Sequence, residues 1–193
     1  MNTQHLSSTK HFHFRQARPG IVAALARPKG LAVSNCGVAD LGDSVVVIDT
    51  SLSPQASMDL RDMALQLAGR DVDWVFLTHH HFDHVGGGQA FGSSSVFLSS
   101  TETQTLLMQG GQESLMQNRD TLQRQLEDRQ ANLKAEKDPD KRPELTRLAQ
   151  AAEERLTSAG STRLRLPDFA ARGKVSLHGS KRRADFIPLP RAH

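Results

Sequence analysis

A single cysteine, Cys36, stands in 193 residues, so no internal disulfide can brace the chain. It lies in a strand-like run, where a free thiol serves as a small buried hydrophobe. No stretch is apolar for the length a membrane helix needs, and the longest early apolar run, residues 21–26, is far too short. The N-terminal residues 1–18 are polar and lack the apolar centre of a signal peptide, which gives the expectation of a cytoplasmic protein. Charge of one sign is also scarce, with a formal net of +3. The basic excess falls late, at Arg163, Arg165, Arg172, Lys174, Lys181, Arg182 and Arg183. Phe169 is the single aromatic residue among them, so a solvated surface is expected there and nucleic acid is not the expected partner. Hydrophobic residues make up 37% of the chain, low for a domain of this length, and a polar helical segment accounts for much of the deficit.

What the chain does have is concentrated in residues 78–88, Thr-His-His-His-Phe-Asp-His-Val-Gly-Gly-Gly. Within it His79-x-His81-x-Asp83-His84 puts four ligand-type side chains in six positions. Neutral imidazoles and a carboxylate are suited to zinc and its neighbours. The preceding residues 73–78 are short, apolar and rich in β-formers, so they read as a buried strand, and the glycines that follow permit a tight turn. The ligands thus sit on a loop at the C-terminal end of a strand, where open α/β sheets place their sites. His79 and His81, two apart, point the same way in extended backbone and can share one ion. Asp83 and His84 follow within a turn and can face a second, as two-metal hydrolytic sites require. The plain alternative is a histidine-rich surface loop that binds metal resin and nothing else.

This motif resembles the signature of the metallo-β-lactamase superfamily of metallohydrolases. Ser34-Asn35-Cys36-Gly37-Val38 and Val45-Val46-Val47-Ile48-Asp49-Thr50 are also similar to that family's opening strands. The resemblance implies that His79 and His81 hold a first metal and Asp83 and His84 a second, with Asp83 also taking or relaying a proton. It implies an αβ/βα four-layer sandwich and a hydrolase in which zinc-held hydroxide attacks an ester, amide, thioester or phosphoester of a small-molecule substrate. Zinc, in two ions, is the implied cofactor. Iron or manganese also suit the ligand types, and a mononuclear iron redox relative is an alternative. Asp49, which ends a strand, would lie beneath the metal loop and orient a ligating histidine; capping a turn is its other reading.

Along the rest of the chain, residues 1–18 are expected to be loose, and His11-x-His13 to be a frayed or edge strand without a metal partner. Strands are expected at 21–25, 31–38 and 44–49, with hairpin-turn composition at 40–43. Ser53-Pro54 opens a helix that Gly69 ends. A strand at 96–98 and a helix capped by Ser100 or Thr101 follow. Residues 112–158 differ in kind, being rich in helix formers. Leu115, Leu122, Leu126 and Leu133 form one stripe, Leu145, Leu148, Ala152 and Leu156 another, and prolines break the helix between them. This predicts an inserted helical hairpin that packs on itself, with a homodimer contact as its functional reading. Later strands are expected at 174–178 and 184–189, with His178 at the surface.

His193 follows the last of these strands, where the resemblance places the third histidine of the first metal site. On that reading residues 19–193 are an incomplete domain of the family, its N-terminal portion cut at a metal ligand. A truncated remnant that binds metal weakly and catalyses nothing is then a second functional hypothesis.

Overall fold

The computed structural model describes residues 6–28 and 30–189, so His193 lies outside the described residues. Seven strands form one sheet in sequence order: β1 (Phe12–Arg18), β2 (Ile21–Ala26), β3 (Cys36–Asp40), β4 (Val45–Ile48), β5 (Trp74–Phe76), β6 (Val96–Ser100) and β7 (Phe169–Ala171). The first four pair antiparallel as a meander. From β4 to β7 the pairings are parallel, and each crossover carries helix. Helix α1 (Pro54–Ala68) joins β4 to β5. Its N-cap is Ser53, whose hydroxyl accepts from Ala56 N at 3.1 Å, and Gly69 closes it in a left-handed conformation at φ 68°. The short helix α2 (Phe82–Val85) and a 3-10 turn (Gly88–Ala90) lie between β5 and β6, and α3 (Thr101–Ala135) and α4 (Arg142–Ser161) between β6 and β7.

Alternation along the strands divides the core in two. Val22, Val38, Val47, Val75 and Phe97 meet Leu60 and Met63 of α1 on one face of the sheet. On the other, Val46, Phe76 and Leu98 meet Phe186 of a two-stranded hairpin, β8 (Val175–His178) with β9 (Arg183–Phe186). The Phe76 and Phe186 rings pack edge to face at 5.3 Å. The fold is therefore mixed α/β, with helices on one side of the main sheet and a second small sheet on the other.

The late basic residues belong mostly to this scaffold. Lys181 Nζ lies 2.9 Å from Asp40 Oδ2, and Arg182 donates to the Asp40 carbonyl at 2.5 Å, tying the β8–β9 turn to the β3–β4 turn. Lys174 and Arg183 both pair with Asp185. Arg165 stacks 4.0 Å over the Phe97 ring and donates to the carbonyls of Phe91, Gly92 and Ser95.

Several expectations are corrected. The expected loose end at residues 1–18 contains β1, which buries Phe12 and Phe14 because they alternate on its inner face. The strand expected from residue 31 begins only at Cys36, since the Asn35 side chain accepts from Ala26 N at 2.9 Å in place of a ladder bond. The helix capped by Ser100 and the first arm of the hairpin are one 35-residue helix, so the hairpin spans more than residues 112–158. Gly111 sits inside that helix because Leu164 packs where its β-carbon would be. Leu115, Leu122 and Leu126 are buried, as self-packing requires. His11 and His13 do not converge: buried His11 accepts at Nδ1 from Leu31 N at 3.0 Å, and exposed His13 bonds Ser8.

His11 makes stability pH-dependent. Burial pushes its pKa below 6.5, opposed by the charges of Asp59 and Glu154 and aided by that of Lys10. The unfolded chain then binds the proton more readily than the fold does. This contribution is complete above the unfolded value and is lost as pH falls from there through the lower folded value. Asparagine can present its amide oxygen where Nδ1 now accepts. Urea unfolding of His11→Asn at about pH 7.5 and about pH 5.5 is expected to show a smaller loss on acidification than the wild-type chain. An equal loss in both would disprove the assignment.

Candidate metal centre

Val75 and Phe76 are buried between β4 and β6, and Leu77 continues inward with its N–H on the Leu98 carbonyl at 2.8 Å. The chain then turns outward at the C-terminal ends of the parallel strands, where the crossovers leave a crevice. His79 and His81 precede α2, His81 being its N-cap residue, and Asp83 and His84 lie within it. The ring centroids of His79 and His81 are 4.8 Å apart, and those of His79 and His84 are 4.0 Å apart. The loop thus brings three imidazoles into one cluster. Asp83 Oδ2 lies 3.3 Å from His84 Nε2, and its side chain is 35% exposed.

Beneath the cluster sits Asp49, 4% exposed, in the residue after β4. Its Oδ1 accepts from Thr78 N at 2.8 Å, and its Oδ2 accepts from Thr78 Oγ1 at 2.8 Å and from His84 Nδ1 at 2.7 Å. One carboxylate therefore fixes both the start of the loop and the ring of its last histidine. Burial alone would lower the pKa of His84. The hydrogen bond to Asp49, with the charges of Asp49 and Asp83, outweighs it and raises the value above 6.5.

The loop backbone is fastened by residues that composition does not flag. Thr50 donates to the His84 carbonyl from both N (2.7 Å) and Oγ1 (3.1 Å), and Ser34 Oγ donates to the Asp83 carbonyl. Gly87 N donates to the Ser51 carbonyl at 3.1 Å. Asp49 and Ser51 hold φ of 59° and 60°, a left-handed conformation that costs a non-glycine residue about 1 to 3 kcal/mol and collects at functional sites. Cys36 lies below them, where burial and the Asp49 charge push its thiol well above the usual range. It is a neutral packing residue and not a ligand.

The donor chemistry fits a divalent ion. With Nδ1 of His84 held by Asp49, Nε2 is the nitrogen left to face an ion, and a carboxylate behind a histidine is the usual support for metal ligation. Among the described residues no three of these donors yet converge in ion-holding positions. Asp83 and His84 pair with each other, a contact that a shared cation would replace. Beside the loop a cleft of about 350 Å³ is lined by His79, His80, Ile48, Phe76, Leu106 and Phe186.

Comparison with known proteins sets this geometry in a family. The model of the metallo-beta-lactamase superfamily matches residues 30–153. Among solved structures, a metallo-beta-lactamase from Hirschia baltica is 20% identical, with 53% of this chain aligned to 49% of that one at a TM-score of 0.46. The FIM-1 metallo-beta-lactamase from Pseudomonas aeruginosa, in its mono-zinc form, is 19% identical, with coverage of 54% and 50% and a TM-score of 0.47. The inverting sec-alkylsulfatase Pisa1 from Pseudomonas sp. is 15% identical, with coverage of 56% and 18% and a TM-score of 0.46. The aligned part spans about half the length of the two lactamases. No curated protein sequence matches. The family model runs from before β3, through the histidine–aspartate loop, into the helical hairpin, and the chain belongs to the metallo-beta-lactamase superfamily.

Proposed function

We propose that the protein is a metal-dependent hydrolase in which His79 and His81 hold a first divalent ion, with His193 as its third histidine, and Asp83 and His84 hold a second. The observation that carries this reading is the meeting of the His79, His81 and His84 rings above one buried carboxylate, Asp49, which fixes the tautomer of His84. A zinc ion held by these residues would supply a water of lowered pKa, about 7, and a Lewis acid for a substrate oxygen. Asp83, part-exposed beside His84, takes or relays the proton released as water attacks. Asp49, buried, holds Nδ1 of His84 and so keeps Nε2 turned toward the site. Ile48 and Leu106, on the wall of the adjacent cleft, offer apolar contact to the substrate.

Metal analysis of the purified protein is expected to find bound zinc that falls to background in the His79→Ala/His81→Ala variant. Unchanged metal content would sink the ligand assignment. Hydrolysis of a chromogenic β-lactam, a lactone, a thioester and a phosphodiester, with zinc, manganese or iron supplied, tests the chemistry. Ion binding without turnover of any ester, amide, thioester or phosphoester would overturn the hydrolase reading while leaving the metal loop intact.

A further inference from the structure

A second cleft, of about 730 Å³, lies between the helical hairpin and the segments flanking β1 and β2. Its lining brings together Lys10, Arg27, Arg129, Arg147 and Arg155, against one carboxylate, Glu154. These cations come from both helices and from two loops far apart in sequence. The sequence shows α3 and α4 as nearly neutral, and only the packing gathers their arginines around one cleft. The late basic residues, by contrast, are largely consumed by Asp40, Asp185 and backbone carbonyls.

Three of the five cations are already engaged. Lys10 pairs with Glu154 at 2.6 Å, Arg147 with Glu144, and Arg27 donates to the Thr9 carbonyl. Arg129 and Arg155, on opposite helices, have no ion-pair partner among the described residues. Paired guanidinium forks facing one space suit the oxygens of a phosphate, which each can engage in bidentate fashion. The lining also includes the apolar residues Pro28, Leu148, Ala151 and Ala152. A ligand that used the whole cleft would carry several negative charges at one end and a flat or aliphatic body at the other. The volume is of the order that small organic ligands occupy.

We propose that this cleft binds a phosphorylated organic anion of nucleotide type, its phosphates on Arg129 and Arg155 and its body on Leu148 and Pro28. The site is separate from the metal loop and independent of the reaction proposed there.

The test uses full-length protein freed of metal, so that phosphate cannot report on the histidine loop, with adenosine triphosphate, inorganic pyrophosphate and adenosine as probes. Adenosine triphosphate is expected to raise the thermal unfolding midpoint and to bind more tightly than pyrophosphate, while adenosine gives no shift. Arg129→Gln/Arg155→Gln is expected to weaken its binding at least about tenfold and His79→Ala/His81→Ala to leave it unchanged. Because Arg129 is exposed, Arg129→Gln alone carries the same test if the double variant fails to fold. Equal affinity in wild type and variant, equal affinity for pyrophosphate and adenosine triphosphate, or binding of duplex DNA with no response to adenosine triphosphate would each overturn the proposal.

Discussion

Replacing Asp49 by alanine is expected to lower zinc affinity by about 10- to 100-fold and to destabilise the fold by about 3 kcal/mol. The affinity loss follows from His84, whose ring is freed to rotate and to exchange tautomers once Nδ1 has no carboxylate to donate to. The stability loss has two sources: Thr78 N loses its acceptor in a part-buried position, and alanine inherits a left-handed φ of 59° that aspartate tolerates better. Asp49→Asn separates the two effects. Its amide oxygen can still accept from Thr78 N, so most of the stability is retained. Its NH2 group, facing Nδ1, disfavours the tautomer that leaves Nε2 to the metal. Competition with a chromogenic chelator, run beside thermal unfolding, reads both quantities. Zinc affinity within about threefold of wild type in Asp49→Ala would show that Asp49 does not orient the ligand.

Gly87→Ala is the second large effect, expected to cost about 3 kcal/mol or more and to empty the metal loop. Gly87 has φ −87°, so alanine meets no backbone strain there. The obstacle is contact: a β-carbon would press on Ser57 Oγ and the Thr50 carbonyl, and lie 2.7 Å from the carbonyl of Ser53. All of these belong to the start of α1 or the turn before it, where Ser57 Oγ donates to the Thr50 carbonyl. The methyl can be accommodated only by lifting the metal loop off α1 or by breaking that bond. At about 2 to 4 °C per kcal/mol for a chain of this size, calorimetry should show a fall of roughly 6 to 12 °C in the unfolding midpoint. Gly92→Ala is the control, because its β-carbon would meet only Ser94 Oγ at 3.7 Å. Equal midpoints for the two variants would mean that the close approach at Gly87 is not what seats the loop.

The metal loop was readable from sequence because its chemistry is local: four donors, the strand before them and the glycines after them fall in one short window. Its fastenings were not. Ser34 and Thr50 reach the loop only through the fold, Ser57 in turn bonds the Thr50 carbonyl, and serine and threonine carry no signal that separates such a role from a surface one. Asp49 was visible as a strand-ending carboxylate, while its left-handed backbone, like that of Ser51, has no glycine to announce it. Strand β1 was hidden by polar neighbours that outweigh the alternation of Phe12 with Phe14, and β7 by having only three residues. Helix α3 was split in the reading because residues 112–158 differ in composition from the helix before them, whereas Gly111 lies inside one continuous helix where Leu164 approaches.

The long crossover between β6 and β7 bears on how this sheet tolerates insertion. A flexible connection of that length would oppose strand pairing through loop-closure entropy, although the penalty rises by only about 0.6 kcal/mol per doubling of length. Here the penalty is met before the sheet is involved. Helices α3 and α4 pack antiparallel, Arg119 Nε donates to the Ala159 carbonyl at 2.8 Å and its Nη2 to that of Thr162 at 3.0 Å, and Gln104 holds the Pro167 carbonyl at 3.1 Å. Those bonds bring the two ends of the crossover together at its base. To β6 and β7 the connection behaves as a short one, and residues added at the far tip, around 136–141, would lengthen the hairpin without separating the strands it joins.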